Sequence, residues 1–280
     1  MLPNFIVIGA GKCATTSLCE LISQHPEVSF SNPKEPNFFS NDELYGSEEG
    51  WEWYRSIFPD SVGKAMIGEG SGRYSSKECF PKTAKRIAEH IPDCKLIYIV
   101  RHPIERIESL WMENVYQGLE SALPFNQALK KFPEVYIDSS NYLRQLEHYR
   151  QYFPNEQILT LFYENFRKDP DAVMRDCFEF LGLDTIVKVS QNDSAKNVSI
   201  GKKGDASIMR SLRAMPGYKV LRHILPSGFR KSLRKNYMQT ELEVRPSWDG
   251  DLKEWVLSKL HDDSISFLEQ NGKSKEFWAF

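Results

Sequence analysis

A stretch near the N-terminus combines small residues, a lysine and hydroxyl side chains in a way that suits a compact anion. Residues 5–8 are apolar and predict a buried strand, while Gly9 and Gly11 allow a tight turn. Thr15 then opens an amphipathic segment that predicts a helix. The first N–H groups of that helix and the positive end of its dipole point into the loop, where Lys12 adds a full positive charge. The hydroxyl groups that can donate there belong to Thr15, Thr16 and Ser17.

The glycine spacing excludes one common phosphate-binding pattern and formally fits another. Walker A is absent, because no second glycine precedes a Lys-Ser/Thr pair at the required distance. Residues 9–14 satisfy G-x-G-x-x-G/A after a strand, as in dinucleotide-binding Rossmann domains. Those domains also have an acidic residue about 20 positions further on. Glu27 lies near that place, but the proline-rich residues 31–36 follow it. An NAD(P)-dependent oxidoreductase stays open as an alternative, although a loop lysine followed by Thr-Thr-Ser suits a compact, highly charged group better.

A second candidate anion site follows an apolar stretch in the middle of the chain. Residues 96–100 are typical of a parallel strand covered on both faces, and Arg101 follows at its carboxyl end. Open α/β sheets bind ligands at that end. Pro103 suits the first turn of a helix, on which Ser109 lies about two turns from Arg101. A guanidinium makes bidentate, charge-assisted bonds to phosphate, so the pair predicts a phosphate site; a surface ion pair of Arg101 is the alternative.

These two stretches, at this distance, resemble the nucleotide-binding motifs of the sulfotransferases that use 3′-phosphoadenosine 5′-phosphosulfate (PAPS). Residues 9–17 resemble the family's 5′-phosphosulfate loop, and Arg-x-Pro-x-x-Arg-x-x-Ser in residues 101–109 resembles its 3′-phosphate site. The resemblance implies that Arg101 and Ser109 bind the 3′-phosphate. It assigns to the cofactor loop Gly11, Lys12, Cys13, Ala14, Thr15, Thr16 and Ser17. It also implies that Lys12 is catalytic, stabilising the bridging oxygen of PAPS, whose product is 3′-phosphoadenosine 5′-phosphate (PAP).

The family resemblance extends to a proline-rich loop over residues 31–40. Residues 34–39 form Lys-Glu-x-x-Phe-Phe, which resembles a stretch of the glycan-type and heparan-sulfate-type sulfotransferases. In those enzymes the glutamate is the general base. The resemblance therefore implies Glu35 as the catalytic base and Lys34 as a substrate-binding residue near the sulfonate. The family often has a histidine two residues later, where this chain has Asn37. An exposed Lys-Glu pair in a loop is the alternative.

A predicted short strand over residues 66–69 resembles the family at the acceptor side. The family has Glu-Lys/Ala-Ser/Thr-Pro-x-Tyr there, at a strand end that lines the acceptor site, and Glu69 is the matching glutamate. Some glycan-type members have a lysine next, where this chain has Gly70. Arg73 is therefore the candidate for a cationic substrate-binding role, and the absence of such a role is the alternative.

Two further cofactor contacts are implied in the second half of the chain. Tyr163 follows a predicted buried strand over residues 157–162, and the family's tyrosine there often lies near the adenine; core packing is the alternative. Residues 201–204, Gly-Lys-Lys-Gly, resemble the Arg-Lys-Gly loop that covers the 3′-phosphate in cytosolic sulfotransferases. That resemblance implies cofactor contacts by Lys203 and Gly204, with a plain solvated basic loop as the alternative.

Composition argues against several other classes of protein. The 280 residues are 41% hydrophobic and 26% charged, as in ordinary globular enzymes, and the net charge of −2 argues against a dedicated nucleic-acid binder. Five cysteines without CxxC spacing indicate reduced thiols rather than disulfides or a zinc site, and no metal cluster is expected. No run approaches transmembrane length, so we expect a cytoplasmic, bacterial-type protein. The basic residues 219–235 leave peripheral membrane contact open.

Together these elements predict one α/β sulfotransferase domain over residues 1–280. We expect a P-loop-like three-layer sandwich with a central parallel sheet flanked by helices, and PAPS at the carboxyl ends of the strands. Further helices are predicted over residues 80–91, 142–153, 172–181 and 252–268. The resemblance implies in-line transfer of a sulfonate to a hydroxyl or amine of a small-molecule, glycan or lipid acceptor, with a carbohydrate or glycolipid favoured. It requires no metal, because lysine and backbone donors supply the positive charge. A non-catalytic nucleotide-binding protein is the remaining alternative.

Overall fold

Five segments pair into one parallel sheet, and four of them were predicted as strands; Val28–Phe30 was not. The computed structural model describes residues 1–119, 123–190, 203–205, 239–241 and 245–279. The strands of the sheet are β1 (Phe5–Gly9), β2 (Val28–Phe30), β3 (Met66–Gly70), β4 (Lys95–Val100) and β5 (Ile158–Phe162). Their order across the sheet is β2-β3-β1-β4-β5. Strands β1 and β4 are almost continuously apolar and buried, since they lie in the middle of the sheet.

The register of the central strands brings several chain segments to one edge. Phe5 of β1 is level with Gly68 of β3 on one side and with Lys95 of β4 on the other. The loops that follow β1, β3 and β4 therefore meet at the carboxyl end of the sheet. In the dinucleotide-binding order, strand 2 neighbours strand 1, whereas here β3 lies between β1 and β2. The Rossmann alternative does not fit this topology.

Eleven α-helical segments are described. They are α1 (Thr15–Ile22), α2 (Asp42–Tyr45), α3 (Glu48–Ser56), α4 (Thr83–His90), α5 (Pro103–Tyr116), α6 (Phe125–Lys131), α7 (Pro133–Tyr136), α8 (Tyr142–Arg150), α9 (Tyr163–Lys168), α10 (Pro170–Leu181) and α11 (Gly250–Gln270). Local chemistry sets many ends: the Asp169 carboxylate accepts from Ala172 N–H at the start of α10, and Gly182 ends it with φ 78°. The predicted helices are confirmed, with small shifts at their ends.

Two apolar clusters hold these layers together. The larger one contains the strands, α1, α10, α8 and the second half of α11, where Phe267 and Leu268 are fully buried. The smaller one joins α5, α6 and α7 to the first half of α11, around Trp111 and Val256. Helix α11 therefore ties the packing of α5 to the main core, so the helix that carries Ser109 is fixed relative to the sheet.

A short antiparallel pair completes the described chain. Strand β6 (Lys203–Asp205) pairs with β7 (Gln239–Glu241), and the backbone of β6 lies against α5. The predictions for residues 201, 202 and 219–235 concern positions outside the described residues. Within the described ranges, no helix has the length and apolar character needed to cross a membrane.

Candidate functional site

One cleft at the carboxyl end of the sheet collects most of the predicted site residues. Its volume is about 1110 Å³. The predicted residues that line it are Gly11, Lys12, Ala14, Thr15, Thr16, Ser17, Lys34, Glu35, Arg73, Arg101, Ser109 and Tyr163. The two predicted anion sites, around Lys12 and around Arg101, therefore open into the same space, as binding one nucleotide requires.

The loop between β1 and α1 is a tight turn held by unusual backbone conformations. Gly9 has φ 149°, and a Cβ atom there would lie 2.2 Å from Ser75 Oγ, so only glycine fits. Lys12 and Ala14 adopt the left-handed conformation, with φ 72° and 65°. Helix α1 begins directly afterwards without a side-chain cap. The first N–H groups of a helix have no intrahelical partner, so this end of α1 offers donors and a positive dipole to the cleft.

The buried side chain of Arg106 holds this loop in place through hydrogen bonds. Arg106 is 2% exposed, and its Nε donates to the carbonyl of Gly11 at 3.0 Å. Its Nη1 donates to the hydroxyls of Ser139 and Ser140 at 2.9 and 2.7 Å. On the other side of the loop, Gly11 N–H donates to the carbonyl of Gly72 at 3.1 Å. Our site prediction lacked Arg106, although it is the second arginine of the Arg-x-Pro-x-x-Arg pattern.

Cys13 differs from its neighbours, because it does not line the cleft. The side chain is fully buried, with Sγ 3.9 Å from the Gly11 carbonyl and 4.0 Å from the Tyr142 hydroxyl. Its N–H donates within the loop, to the Ala10 carbonyl at 3.1 Å. Burial raises the pKa of this thiol to about 11, partly offset by Arg106. The Cys13 side chain therefore packs the loop onto the core as a neutral thiol, and its contact with the cofactor stays a prediction.

Both predicted phosphate-binding cations are paired with carboxylates of α5. Lys12 Nζ lies 3.1 Å from Glu113 Oε2. Arg101 donates from Nε and Nη2 to Glu105 Oε2 at 2.9 and 2.6 Å, and its guanidinium lies 5.0 Å from the centre of the Tyr163 ring. The surface ion pair considered for Arg101 thus exists, at a position that also lines the cleft. Ion pairs with solvent access contribute little energy, so a phosphate group can compete with these carboxylates.

Lys34 connects the candidate base to the start of α1. Its Nζ donates to Thr16 Oγ1 at 2.8 Å and to Glu35 Oε1 at 3.3 Å. The Glu35 side chain is 47% exposed and lines the cleft, so its carboxylate remains accessible to an acceptor. The arrangement places one carboxylate, one ammonium and the hydroxyl-rich helix end side by side.

The backbone at the end of β3 explains why residue 70 is not a lysine and why Arg73 is the cation at this part of the cleft. A Cβ atom at Gly70 would lie 2.5 Å from Cys19 Sγ, so the backbone there leaves no room for a lysine. Arg73 is exposed, lines the cleft and has its guanidinium 5.2 Å from the centre of the Phe80 ring. The structure therefore keeps Arg73 at the cleft wall, where we expected a substrate-binding cation.

Glu69, in contrast, does not line the cleft as the family resemblance implied. It is fully buried, and it accepts hydrogen bonds from the hydroxyls of Tyr54, Ser71 and Tyr74 at 2.9, 2.6 and 2.9 Å. Burial raises the pKa of this carboxyl to about 7, although the three hydroxyl donors act in the opposite direction. Glu69 therefore belongs to a buried polar cluster beneath the site.

The cleft contains further charged residues that the sequence did not single out. They are Glu105, Glu108 and Glu113 on α5 and Arg167 on α9. The spacing of four residues between Arg101 and Glu105 was the available signal for that pair. For Lys203 and Gly204, the described backbone lies against α5, the helix that carries Ser109. Among the described residues, no group of three side chains could hold a metal ion.

The fold and this cleft agree with the comparison to known families. Residues 2–242 match the family described as "Sulfotransferase domain", so the chain belongs to the sulfotransferase family. The predicted family is thereby confirmed, and the family match ends before α11.

Individual relatives point in the same direction. The chain is 31% identical over 191 residues to heparan sulfate glucosamine 3-O-sulfotransferase 6 of Homo sapiens, covering 66% of this chain and 54% of that protein. It is 29% identical over 204 residues to bifunctional heparan sulfate N-deacetylase/N-sulfotransferase 3 of Mus musculus, covering 65% and 22%. The chain thus spans about half, or less, of the length of these relatives. A sulfotransferase crystal structure from Alicyclobacillus acidocaldarius matches all of both chains with a TM-score of 0.69 and 23% identity, which shows the shared fold.

Proposed function

We propose that this protein transfers a sulfonate group from PAPS to a hydroxyl or amine of an acceptor by in-line displacement, with residues 1–280 as one catalytic domain. The observation that carries the proposal is the single cleft lined by Lys12, Arg101 and Glu35. These side chains provide an anion site after β1, a second after β4, and a carboxylate beside the first. Membership of the sulfotransferase family supports the same reaction class.

The residues of the cleft fit a nucleotide with negative groups at two ends. Lys12 and the start of α1 would hold the 5′-phosphosulfate, and Arg101 with Ser109 would hold the 3′-phosphate. The Tyr163 ring, next to Arg101, offers an aromatic face to the base. The volume of about 1110 Å³ exceeds that of ordinary small-molecule sites, so it leaves room for an acceptor beside the nucleotide. PAPS supplies the activated sulfonate when bound.

Three side chains of the protein have separate roles in the transfer. Glu35 accepts the proton of the acceptor hydroxyl on a carboxylate oxygen, as a general base does. Lys12 and the N–H groups at the start of α1 stabilise the negative charge that develops on the leaving phosphate oxygen. Lys34 contacts both Thr16 and Glu35, so it keeps the base next to the anion loop, which is the loop of residues 10–14 between β1 and α1.

We propose a carbohydrate as the acceptor, either free or as a glycolipid. The names of the relatives specify heparan sulfate, and residues 34–39 resemble the glycan-type enzymes. The cleft wall also presents Asn114, Gln117 and Arg73, whose polar groups suit sugar hydroxyls. We further propose a cytoplasmic location, supported by five free cysteines, of which all but Cys79 are buried.

A binding experiment tests the cofactor. Saturating PAP is expected to raise the melting temperature, since a ligand at about 100 times its Kd adds about 2.7 kcal/mol of stability. The variant Arg101→Gln should lose most of this shift, while Arg55→Gln, at an exposed ion pair in α3, should keep it. An equal shift with NADP, or none with PAP, contradicts the proposal.

A transfer experiment tests the reaction. Sulfur-labelled PAPS is offered with N-acetylated and N-sulfated heparan oligosaccharides, glycolipids and phenols. We expect transfer to a carbohydrate, and Glu35→Gln should lower kcat by about 10²–10⁴-fold with unchanged PAP affinity. The matched control Glu49→Gln changes an exposed glutamate of α3 and should leave kcat intact. Binding of PAP without transfer to any acceptor would identify a nucleotide-binding protein instead.

A further inference from the structure

Glu69 is a buried carboxylate near the end of β3. It is fully buried and outside the cleft. Removing a carboxylate from water is costly unless hydrogen bonds compensate, and three hydroxyl groups donate to it here. An apolar side chain would pack at this place without that cost. The arrangement of its donors shows what the carboxylate does.

Two of the three hydroxyls that donate to Glu69 also accept hydrogen bonds from the loop that carries the candidate base. Ser71 Oγ donates to Glu69 Oε2 at 2.6 Å and accepts from the N–H of Asn37 at 3.0 Å. Tyr74 Oη donates to Glu69 Oε1 at 2.9 Å and accepts from the N–H of Phe39 at 3.2 Å. A hydroxyl has one hydrogen, so donation to Glu69 turns its lone pairs toward these two amides.

The loop that receives these bonds requires external support. Glu35 and Asn37 both have left-handed backbone conformations, with φ 58° and 54°. For residues other than glycine this conformation is unfavourable, and it persists where contacts enforce it. The Asn37 side-chain amide donates to the Glu35 carbonyl at 2.8 Å, so the two residues form one unit. Fixing the amides of Asn37 and Phe39 therefore fixes the backbone of Glu35.

The same segment after β3 also contacts the anion loop. The carbonyl of Gly72 accepts from Gly11 N–H at 3.1 Å, and Ser75 N–H donates to the Ile8 carbonyl at 2.9 Å. Residues 69–75 thus contact the anion loop on one side and, on the other, residues 35–40, which we call the base loop. The distance between the sulfonate-binding and proton-accepting groups depends on this segment.

We infer that Glu69 is a positioning residue, which sets the place of Glu35 relative to the anion loop through the hydroxyls of Ser71 and Tyr74. The inference rests on the proposed function for the role of Glu35. Glu69 itself contacts neither cofactor nor acceptor. Its carboxylate orients two hydroxyls, and these hydroxyls hold two backbone amides of the base loop.

Two tyrosines provide a matched pair for the test. Tyr54 and Tyr74 are both fully buried, and each donates to Glu69 Oε1 at 2.9 Å. Only the Tyr74 hydroxyl also accepts from a loop amide. Both Tyr54→Phe and Tyr74→Phe should lower the melting temperature, and Tyr74→Phe should lower it further because it also leaves the Phe39 amide without its acceptor. Removal of Glu69 itself would leave three buried hydroxyls without an acceptor and endanger the fold, so the tyrosine pair is the sharper comparison.

Hydrogen exchange gives a readout that is independent of activity. The amides of residues 37–40 should exchange about fivefold faster in Tyr74→Phe, since one hydrogen bond is worth about 1 kcal/mol. Ser71→Ala should have the same effect, while Tyr54→Phe should match the wild-type rate. Equal exchange in both tyrosine variants would overturn the inference, whether or not the protein transfers sulfonate.

Kinetics then test the consequence for catalysis. Tyr74→Phe and Ser71→Ala should lower kcat by about tenfold with unchanged KM for PAPS, because a displaced base affects the transfer step more than cofactor binding. Tyr54→Phe should stay within about twofold of wild type. If both tyrosine variants lose kcat equally, the cluster acts only through stability and the inference is wrong. Absence of transfer by the wild-type protein would instead contradict the proposed function and leave the exchange result standing.

Discussion

Two loops meet at the cleft, and each is held by one buried charged side chain. The anion loop rests directly on Arg106, whose Nε contacts the Gly11 carbonyl. The base loop rests indirectly on Glu69, through the hydroxyls of Ser71 and Tyr74. An arginine stays charged at every accessible pH, whereas burial raises the pKa of Glu69 to about 7. The side chain that holds the anion loop therefore keeps its charge, whereas the carboxyl group that holds the base loop titrates near neutrality.

The largest expected effect concerns the side chain that holds the anion loop. Arg106→Gln removes three hydrogen bonds of a buried charged group, and we expect a loss of about 3–5 kcal/mol in the free energy of unfolding. Urea denaturation measures this loss. The control Arg55→Gln breaks an exposed pair with Glu48 and should cost no more than about 1 kcal/mol. Comparable losses in both variants would mean that Arg106 stabilises the protein no more than an exposed ion pair does.

The second prediction concerns the cation of the anion loop. Lys12→Ala should lower kcat by about 10²–10³-fold, because it removes a donor at the developing charge, and should also weaken PAP binding. Glu35→Gln, on the base loop, should change kcat alone. Lys85→Ala, at an exposed pair on α4, serves as the control. Turnover of Lys12→Ala near the wild-type value would refute the assignment of this loop.

The third prediction uses the titratable support. The pKa of Glu69 in the folded protein is about 7, against an ordinary value of 4.5, so the folded state holds more protons between these pH values. Stability from this group is therefore present below about pH 4.5 and is lost as the pH rises to 7. In Glu69→Gln this loss should disappear. Thermal unfolding of Glu69→Gln from pH 4.5 to 8 should show a difference from wild type that changes with pH.

The smallest expected effect probes the outer contacts of Arg106. Ser140 Oγ accepts from Arg106 Nη1 at 2.7 Å and donates to the Tyr136 carbonyl at 2.7 Å. Ser140→Ala should cost about 1–2 kcal/mol of stability, since Ser139 remains as an acceptor for the same nitrogen. PAP affinity should stay within about twofold of wild type. A tenfold loss of affinity would mean that the outer contacts also shape the loop.

The local parts of the site could be predicted from the sequence. The strand, turn and helix around Lys12 are specified by consecutive residues, and so are β4, Arg101 and the start of α5. The sheet register then brings both into one cleft, because residues that follow adjacent parallel strands lie at the same edge. The position of Ser109 followed from helical periodicity.

The parts that sequence reasoning missed depend on contacts between distant segments. Arg106 reaches Gly11 across 95 positions of the chain, and Lys12 reaches Glu113 across 101. No local period encodes such pairs. Glu69 was expected at the cleft wall, but hydroxyl groups from residues 54 to 74 surround it in the core. The Cys13 side chain turns to the core between two residues with left-handed backbone, an orientation that the sequence did not predict.

The two carboxylates of α5 act as counter-ions at a fixed spacing. Glu105 and Glu113 lie eight residues apart on one helix, which is about 12 Å along its axis. Each neutralises one cation of the cleft. A ligand with a negative group at only one end can exchange with one of these counter-ions, whereas one with charge at both ends can exchange with both. Under the proposed function, PAPS would replace both carboxylates, one at each of its charged ends.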